Sequence, residues 1–589
     1  MTDKMMSRRR LIEAAAGALL LSGCSSQDES STKKVKKQDK IKKADASDQS
    51  KHLRDKDDLY EVYDDSGIVT MYLTVSRGNS SENTDHSWAE INTYSVYDYQ
   101  AMDVERYQVL GLLQAGDDNG PVAGEVGYGE EAPNATVQVR GQSSSKGVQK
   151  NYKVELKRGK GTWRQQRSIA LNKHMSEGLR FRNKMAYDLI RGIPQMMGLR
   201  TQFVHLWVCD QTEKSNDTFA DYGLFTQVEQ LNKTALKAHG LDKDGHLYKV
   251  NNFEFERYKD IIKLGDDPSF NQADFDYLLE TKGDSDHSKL IEMLDALNDD
   301  SQKIDGVLAT YFDSENLVYW MAFQMLTGNC DTQNRNFYLY SPLNSKVWYF
   351  LDWDNDGMLR KRELEIQDHT DYSSWERGVS NYWVNVLFRR ALKSKLFRRE
   401  LDDAVKDVRS YLTEERLAKM IKHYREVTES LVFASPDIDH LPVTKDEYEQ
   451  IAAAIPSEIE ENYKSYRESY KKPMPFYIGV PQIENGKLRV NWDAAYDFEA
   501  RDIRYTVELA RDYAITDVVF KAEDVLLPEV TCDAPDTGQY FARVRATNSD
   551  GYTQDAFDYY VTDDGKQYGM KCFYVQDGGK VVEDTYAEG

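Results

Sequence analysis

Acidic and amide side chains cluster in two short segments near the middle of the sequence. Asp331 precedes Asn336 by five residues, and an apolar run further on leads into three alternating aspartates, Asp352, Asp354 and Asp356. Phosphoryl transfer needs a carboxylate near the attacking hydroxyl, together with an amide and a carboxylate that hold a divalent cation against the phosphates. These segments supply such residue types. Taken alone, however, the spacing of Asp331 and Asn336 favours a turn cap, because Asp and Asn satisfy the N–H groups of turns well.

The aspartates also match a calcium-binding pattern. Gly357 and Glu363 follow them in the order of ligands found in an EF-hand loop. That motif needs helices on both sides, but Val347 to Leu351 alternates as a strand does. A Ca²⁺ site on four carboxylates is therefore the alternative to a Mg²⁺ site; its ligands would be Asp352, Asp354, Asp356 and Glu363.

A turn rich in glycine and serine, Gly141–Gly147, separates two predicted strands, Thr136–Arg140 and Tyr152–Leu156. Backbone N–H groups in such turns can bind phosphate oxygens. The nearby basic side chains also have a structural interpretation, as a salt-bridge partner or as solvated lysines of a strand. His174 has no second His or Cys at ligand spacing, so we expect it to make a loop hydrogen bond.

The segments around these residues divide into a strand-rich and a helix-rich half. Alternating runs such as Ile68–Val75, Phe203–Val208 and Tyr222–Val228 predict strands, and Leu179–Ile190 predicts one clear helix among them. From Phe275 to about Lys471 apolar residues recur three and four apart, which predicts helices interrupted by one hairpin, Asn336–Tyr340 and Val347–Leu351. We therefore expect an α+β fold with a cleft between the halves.

A third region follows the prolines Pro473 and Pro475. It contains alternating runs only, among them Leu488–Trp492, Tyr505–Leu509 and Tyr540–Ala546. This pattern resembles a fibronectin type III sandwich, which we place from about Met474 to Asp563.

Six short motifs occur in the order seen in one kinase family. They are Arg140-Gly141-Gln142-Ser143-Ser144, Lys150-Asn151-Tyr152, Arg182-Asn183-Lys184, Tyr222-Gly223-Leu224-Phe225 with Glu229, Asp331 with Asn336, and Trp353-Asp354-Asn355-Asp356. The sequence thereby resembles the spore-coat CotH family of atypical protein kinases from about Val137 to Asp356, with similar helices continuing to about Tyr470. The resemblance implies a bilobal protein-kinase-like fold, with a sheet-rich lobe to about residue 270 and a helical lobe over 271–473.

The resemblance also implies a role for each matching residue. Asp331 is expected to orient or deprotonate the acceptor hydroxyl, and Asn336, Asp354 and Asp356 are expected to hold Mg²⁺. The expected nucleotide-binding residues are Arg140, Gly141, Ser143, Ser144, Lys150, Lys153 and Glu229. Of the two lysines, Lys150 is preferred as the contact to the α- and β-phosphates of ATP.

The implied activity is transfer of the ATP γ-phosphate to Ser or Thr of an exported or surface protein. The alternative is a surface protein for adhesion or assembly that has a kinase-like fold without catalysis, with or without bound calcium. Convergence of three metal-type residues favours the kinase, because an adhesin has no physical need for them.

The N-terminal residues have the features of an export signal. Arg8–Arg10 precede a short apolar run, and Leu21–Cys24 resembles a bacterial lipobox. We therefore expect residues 1–24 to be a lipoprotein signal, lipid attachment at Cys24 to the outer face of the cytoplasmic membrane, and a polar tether over 25–56. Domains over 57–473 and 474–589 would follow.

Charge and cysteine content limit the partners and the cross-links. The formal net charge of -23 argues against a general nucleic-acid binder, which needs a basic face. After removal of the signal and attachment at Cys24, four cysteines remain, and either a Cys532–Cys572 disulfide or four thiols are compatible with the sequence.

Overall fold

The computed structural model describes residues 52–215, 217–367, 375–563 and 565–585. The predicted signal with Arg8–Arg10, the lipid attachment residue Cys24 and most of the predicted tether lie outside these residues. Helices and several sheets confirm the α+β class. Within the described ranges, no helix has both the length and the apolar character needed to cross a membrane.

Seven strands of the first half close into a barrel. The strands of this sheet are β1 (Ile68–Ser76), β2 (Val109–Asp117), β3 (Gly120–Pro121), β4 (Ala135–Arg140), β5 (Asn151–Leu156), β6 (Ser168–Asn172), β7 (Thr201–Asp210) and β8 (Ala220–Glu229). Their order is β1-β7-β8-β6-β5-β4-β2, and β2 pairs again with β1, while the short β3 lies beside β2. Only β1 and β7 run parallel among the neighbouring pairs of the described sheet. Alternate side chains such as Leu73, Val137 and Val154 are buried together, which is why the sequence alternates.

The described helices number thirteen. They are α1 (Trp88–Thr93), α2 (Val96–Met102), α3 (Arg182–Ile190), α4 (Lys233–Ala238), α5 (Gln272–Leu278), α6 (Ser288–Leu297), α7 (Ile304–Tyr311), α8 (Ser314–Thr327), α9 (Lys361–Ile366), α10 (Val386–Lys393), α11 (Lys395–Tyr411), α12 (Glu414–Val432) and α13 (Lys445–Ser469). The predicted helix-rich second half is confirmed. The prediction of a single helix in the first half was wrong, because α1, α2 and α4 span at most seven residues and show little periodicity. The capping boxes that begin at Ser87 and Ser95 were a usable signal for the first two.

A small sheet lies among the helices and carries the acidic segments. Its strands are β9 (His246–Val250), β10 (Leu279–Thr281), β11 (Phe337–Ser341) and β12 (Tyr349–Asp352), in the order β10-β9-β11-β12. The predicted hairpin corresponds to β11 and β12, whereas β9 and β10 were not predicted. All residues of β11 and β12 are buried, so this hairpin is a rigid support for the residues at its ends.

The barrel is joined to the helical part by a buried ion pair. Lys173, just after β6, lies with its Nζ 2.8 Å from Asp437 Oδ1 in the α12–α13 connection. The other carboxylate oxygen of Asp437 accepts the backbone N–H of Leu224, at 2.8 Å. Burial lowers the pKa of Lys173 to about 8, against the opposing charge of Asp437. A Cβ at Gly223, whose φ is +72°, would lie 1.8 Å from Asp437 Oδ2, so glycine is required there.

The last region consists of strands. They are β13 (Gln482–Glu484), β14 (Lys487–Asn491), β15 (Ile503–Ala510), β16 (Val518–Val525), β17 (Glu529–Asp533), β18 (Gly538–Asn548), β19 (Thr553–Asp555), β20 (Tyr559–Thr562), β21 (Gly565–Tyr568), β22 (Met570–Val575) and β23 (Val581–Glu583). One sheet has the order β13-β14-β17, a second β16-β15-β18-β22-β23 with β19 on β18, and β20 pairs with β21. Trp492, Tyr505 and Val544 share a separate core. The described Cys532 and Cys572 are thiols, so the disulfide between them is not formed.

Candidate functional site

The loop after α8 brings Asp331 and Asn336 together. Helix α8 ends because Gly328 has a φ of +66°, a conformation that glycine adopts without steric cost. Asn336 also has a positive φ, +60°, immediately before β11. Its Nδ2 donates to Asp331 Oδ2 at 2.8 Å. The Asp331 side chain is 61 % exposed, so an incoming hydroxyl could reach it.

Asp352, at the end of β12, points into the protein interior. It is 1 % exposed and accepts a hydrogen bond from Gln324 Nε2 at 2.5 Å. Burial raises the pKa of Asp352 to about 8. This carboxylate therefore serves the packing of α8 against β12.

Asp354 is held in a left-handed conformation two residues after β12, with a φ of +59°. Its backbone N–H donates to the Tyr187 hydroxyl oxygen of α3 at 3.2 Å. Burial and repulsion by Asp356 raise the pKa of Asp354 to about 7, and three cationic groups oppose this shift: His174, Lys249 and Arg140. The carboxylate is thus surrounded by positive charge that comes from several elements.

Two of these cations come from different sheets. Arg140, at the end of β4, lies 5.8 Å from the ring centroid of Trp353 and donates to Asn172 Oδ1. Lys249 lies in the middle of β9, and burial lowers its pKa. Arg140 and Lys249 thus bring positive charge from two sheets to the same carboxylate, and both lower its pKa.

Lys249 is a candidate residue that the sequence analysis missed. It pairs across the sheet with Glu280 on β10 and Tyr338 on β11. The hydroxyl of Tyr338 is close enough to Arg140 and Asp354 for their charges to change its pKa. Local sequence patterns do not show which strands pair with β9, because β10 and β11 are distant in the chain. The available sequence signal for β9 was the strand-like run His246–Val250 itself.

His174 makes a hydrogen bond, since its Nε2 lies 3.5 Å from Asn183 Nδ2 on α3, and its ring also lies beside an aspartate. Its Nδ1 lies 3.6 Å from Asp356 Oδ2, and the ring is 8 % exposed. Desolvation lowers the pKa of His174, but the charge and hydrogen bond of Asp356 outweigh it and raise the pKa above its usual value. In turn, His174 lowers the pKa of Asp356 despite the opposing desolvation. Asp356 therefore stays ionised beside Asp354.

The Gly141–Gly147 turn is anchored on one side and exposed on the other. Gly141 has a φ of +94°, and the Ser145 hydroxyl donates to the Gln142 carbonyl at 2.6 Å. The same hydroxyl accepts the backbone N–H of Val96, at the start of α2, at 3.0 Å. Ser143 and Ser144 are exposed. The turn is therefore a fixed loop next to the end of β4, which carries Arg140.

Three predicted nucleotide contacts have local partners instead. Lys150 is 7 % exposed and donates from Nζ to the Ser145 carbonyl at 2.7 Å. The Lys153 side chain lies 3.6 Å from Glu155 on the outer face of β5. Glu229 is 1 % exposed and accepts from Arg200 and His239, at 3.1 and 3.0 Å. The structure thus gives these side chains structural contacts rather than contacts to the cluster around Asp354.

The calcium alternative loses its last carboxylate to an ion pair. Glu363 is 0 % exposed, bonds to Arg182 Nη1, and accepts the Gly178 N–H at 2.7 Å. With Asp352 bonded to Gln324, both ends of the EF-hand pattern are engaged with protein groups.

A separate acidic group at the start of α8 has a capping role. In the described part of the chain, His52, Asp313 and Glu315 have ligand atoms within 4.8 Å of one another. The Asp313 carboxylate already accepts the backbone N–H groups of Leu53 and Glu315, at 3.0 and 3.1 Å. It therefore caps α8 and fixes the preceding segment.

A family model described as CotH kinase protein matches residues 137–466. The chain belongs to the CotH kinase protein family. The resemblance drawn from six ordered motifs is confirmed, and the matched span contains the whole cluster around Asp354. Family membership implies a kinase-like domain that uses a nucleotide and a metal in general terms.

Other comparisons add little. One solved structure, the Shewanella oneidensis MR-1 toxin–antitoxin system HipA, HipB and operator DNA complex, shares 10 % identity with this chain at a TM-score of 0.24. The alignment covers 51 % of this chain and 58 % of that chain, and a TM-score this low supports no structural conclusion. Comparison with curated proteins gives no match.

Proposed function

We propose that this chain transfers the γ-phosphate of ATP to serine or threonine hydroxyls of exported or surface proteins. The observation that carries the proposal is the position of Arg140, 5.8 Å from the ring centroid of Trp353, beside Asp354, whose pKa Arg140 and Lys249 both lower. Cations next to a pair of carboxylates are suited to a nucleotide phosphate that shares a divalent cation with the protein. Asp331 lies near enough to Asp356 for their charges to interact, which connects the acceptor side to this cluster.

The residues present fit a divalent cation. Burial of Asp354 and repulsion between its carboxylate and that of Asp356 raise the pKa of Asp354 to about 7. Carboxylate and amide oxygens are the ligands that Mg²⁺ prefers, and Asn336 would supply the amide. When bound, the cation would neutralise charge that develops on the phosphate oxygens.

The side chains of the protein would then divide the remaining work. Arg140 and Lys249 would bind phosphate oxygens and keep the nucleotide in one orientation. Asp331 would accept the proton of the acceptor hydroxyl, and the hydrogen bond from Asn336 would hold its carboxylate in place. The exposure of Asp331 supports an acceptor that arrives from solvent.

The proposal extends to the arrangement of the chain. A bilobal protein-kinase-like fold over 57–473 would place the nucleotide between the barrel and the helices, which the Lys173–Asp437 ion pair joins. A fibronectin type III-like sandwich over 474–589 would account for the last set of strands. A lipid at Cys24 would hold the protein on the outer face of the membrane, near exported substrates.

Calorimetric titration of ATP tests the nucleotide site. We expect Mg²⁺-dependent binding to wild type, and at least tenfold weaker binding to Asp354→Asn, which keeps the size of the side chain but removes its charge. Asp300→Asn is the matched control, because Asp300 is 99 % exposed. Absence of binding at millimolar ATP would refute the proposal. Substituting Ca²⁺ for Mg²⁺ in the same titration measures the metal preference.

The alternative, a surface adhesion or assembly protein without catalysis, has one observation in its favour. Lys150 and Glu229, both expected to contact nucleotide, are held by local partners. ATP binding without phosphate transfer to any protein would support this alternative.

A further inference from the structure

The segment Trp375–Arg377 holds the loop that carries Asp331. The thiol of Cys330, the residue before Asp331, donates to the Glu376 carbonyl at 2.9 Å. The carbonyl of Cys330 accepts a hydrogen bond from Asn381 Nδ2, at 3.0 Å. The thiol and the carbonyl of Cys330 are therefore both bonded to the segment that runs from Glu376 to Asn381, and these bonds limit how Asp331 can move.

The same segment also contacts the C-terminal strands. The Tyr568 hydroxyl, at the end of β21, donates to Glu376 Oε1 at 3.1 Å. The Trp375 ring packs edge-on against Phe557 and Tyr568, with centroids 5.0 and 5.9 Å away. Phe557 is 7 % exposed and belongs to the same hydrophobic core as the helices. A continuous set of contacts thus leads from the C-terminal strands to Cys330.

Other contacts keep the C-terminal strands in place against the helices. Trp383 stacks on Tyr496 with ring centroids 5.3 Å apart, and Asn548 Nδ2 donates to the Lys471 carbonyl at 2.8 Å. Tyr470 packs edge-on against Phe498, at 5.1 Å. Because these contacts involve the buried side chains of Trp383, Phe498 and Asn548, they hold the C-terminal strands that carry Tyr568 against the helices.

We propose that Tyr568 and Glu376 are positioning residues through which the C-terminal strands orient the loop that bears Asp331. This inference rests on the proposed phosphotransfer. The loop between Gly328 and Asn336 has little regular structure of its own, so its geometry depends on the groups that bond to it. Phosphoryl transfer depends strongly on orientation, and a misplacement of about 1 Å can cost about 100-fold in rate.

The Tyr568–Glu376 contact acts only on the acceptor side of the site, where Asp331 lies. The cations proposed for the nucleotide, Arg140 and Lys249, stand on β4 and β9, and none of the contacts described above for Glu376 and Tyr568 involves them. A weakened Tyr568–Glu376 bond should therefore lower kcat while the KM for ATP stays nearly constant. A general loss of folding would instead change both values and the thermal stability.

The test compares Tyr568→Phe with Tyr574→Phe in the full chain. Both changes delete one hydroxyl from the C-terminal strands, but the Tyr574 hydroxyl bonds to Asp584 and Gln539. With casein as the acceptor and ATP–Mg²⁺, we expect Tyr568→Phe to lower kcat about three- to tenfold with the KM for ATP within twofold, and Tyr574→Phe to match wild type. Glu376→Ala should reproduce the loss, and Glu376→Gln, which keeps the accepting oxygen, should restore most of it.

A second readout does not require phosphotransfer. Iodoacetamide labelling of Cys330, followed on its own peptide by mass spectrometry, should be at least threefold faster in Tyr568→Phe than in wild type or Tyr574→Phe. Unchanged kcat and labelling in Tyr568→Phe would overturn the inference. If wild type transfers no phosphate, the phosphotransfer proposal fails separately, and the labelling rates alone decide whether the C-terminal strands restrain the loop.

Discussion

Disrupting the buried Glu363–Arg182 pair tests most directly whether Glu363 is a structural carboxylate or a calcium ligand. Both side chains are 0 % exposed, and Arg182 also pairs with Glu177, at 3.3 Å. Glu363→Gln keeps the shape of the side chain and an oxygen that can accept the Gly178 N–H. It removes one of the two carboxylate charges that compensate Arg182.

Removing one partner of a buried ion pair costs about 3–5 kcal/mol. We therefore expect Glu363→Gln to lower the free energy of unfolding by about 3 kcal/mol, at the lower end of that range, because Glu177 still pairs with Arg182. The control is Glu365→Gln on the same helix α9, whose side chain is 39 % exposed and pairs with Arg362 at 3.2 Å. An exposed pair contributes about 0–1 kcal/mol, so this variant should remain close to wild type.

Urea unfolding followed by tryptophan fluorescence, with and without Ca²⁺, measures both effects. An intact calcium loop at a free Ca²⁺ concentration about 100 times its Kd would gain about 2.7 kcal/mol. We expect no such gain in wild type, because Arg182 occupies the last carboxylate. A calcium-dependent gain in wild type that Glu363→Gln abolishes would refute the assignment of Glu363 to the ion pair.

Three further predictions address the nucleotide site, pH and backbone conformation. Lys249→Met should weaken ATP–Mg²⁺ binding at least tenfold, about 1.4 kcal/mol, whereas Lys153→Met on the outer face of β5 should not change the calorimetric Kd. Equal Kd values for the two variants would contradict the role of Lys249. Desolvation lowers the pKa of buried His239, but two bonded carboxylates raise it to about 10. The stability that protonated His239 gives the fold is therefore complete below the unfolded pKa of about 6.5 and is lost as pH rises through about 10. Urea unfolding at rising pH should show this loss in wild type and not in His239→Gln. Gly223→Ala, with its Cβ 1.8 Å from a carboxylate oxygen, should reduce thermal stability far more than Gly129→Ala, where φ is a similar +71° but the space around the Cβ is open. Equal decreases in melting temperature would show that backbone conformation alone matters.

Local patterns predicted much of the fold. Strands such as β1 and β15 alternate because one face of each is buried, and α11 and α12 have periodic apolar positions because each packs one side against the core. Helix α8, by contrast, is buried on nearly all sides. The helix expected over Leu179–Ile190 begins only at Arg182, since Arg180 has a φ of +64° that no helix tolerates. Closure of the seven strands into a barrel was not predicted, because pairing of β1 with both β2 and β7 involves residues far apart in the chain.

The order of motifs in the sequence was sufficient by itself to determine the CotH kinase family, because each motif is a short run with fixed spacing, and it made Asp331, Asn336 and Asp354 candidate site residues. Only the tertiary structure decided which charges surround them. It brought Lys249 and His174 to the aspartates, and it gave Glu363 to Arg182. These contacts join residues from separate strands, loops and helices, and the pairing of buried charges depends on which elements pack together rather than on any spacing along the chain.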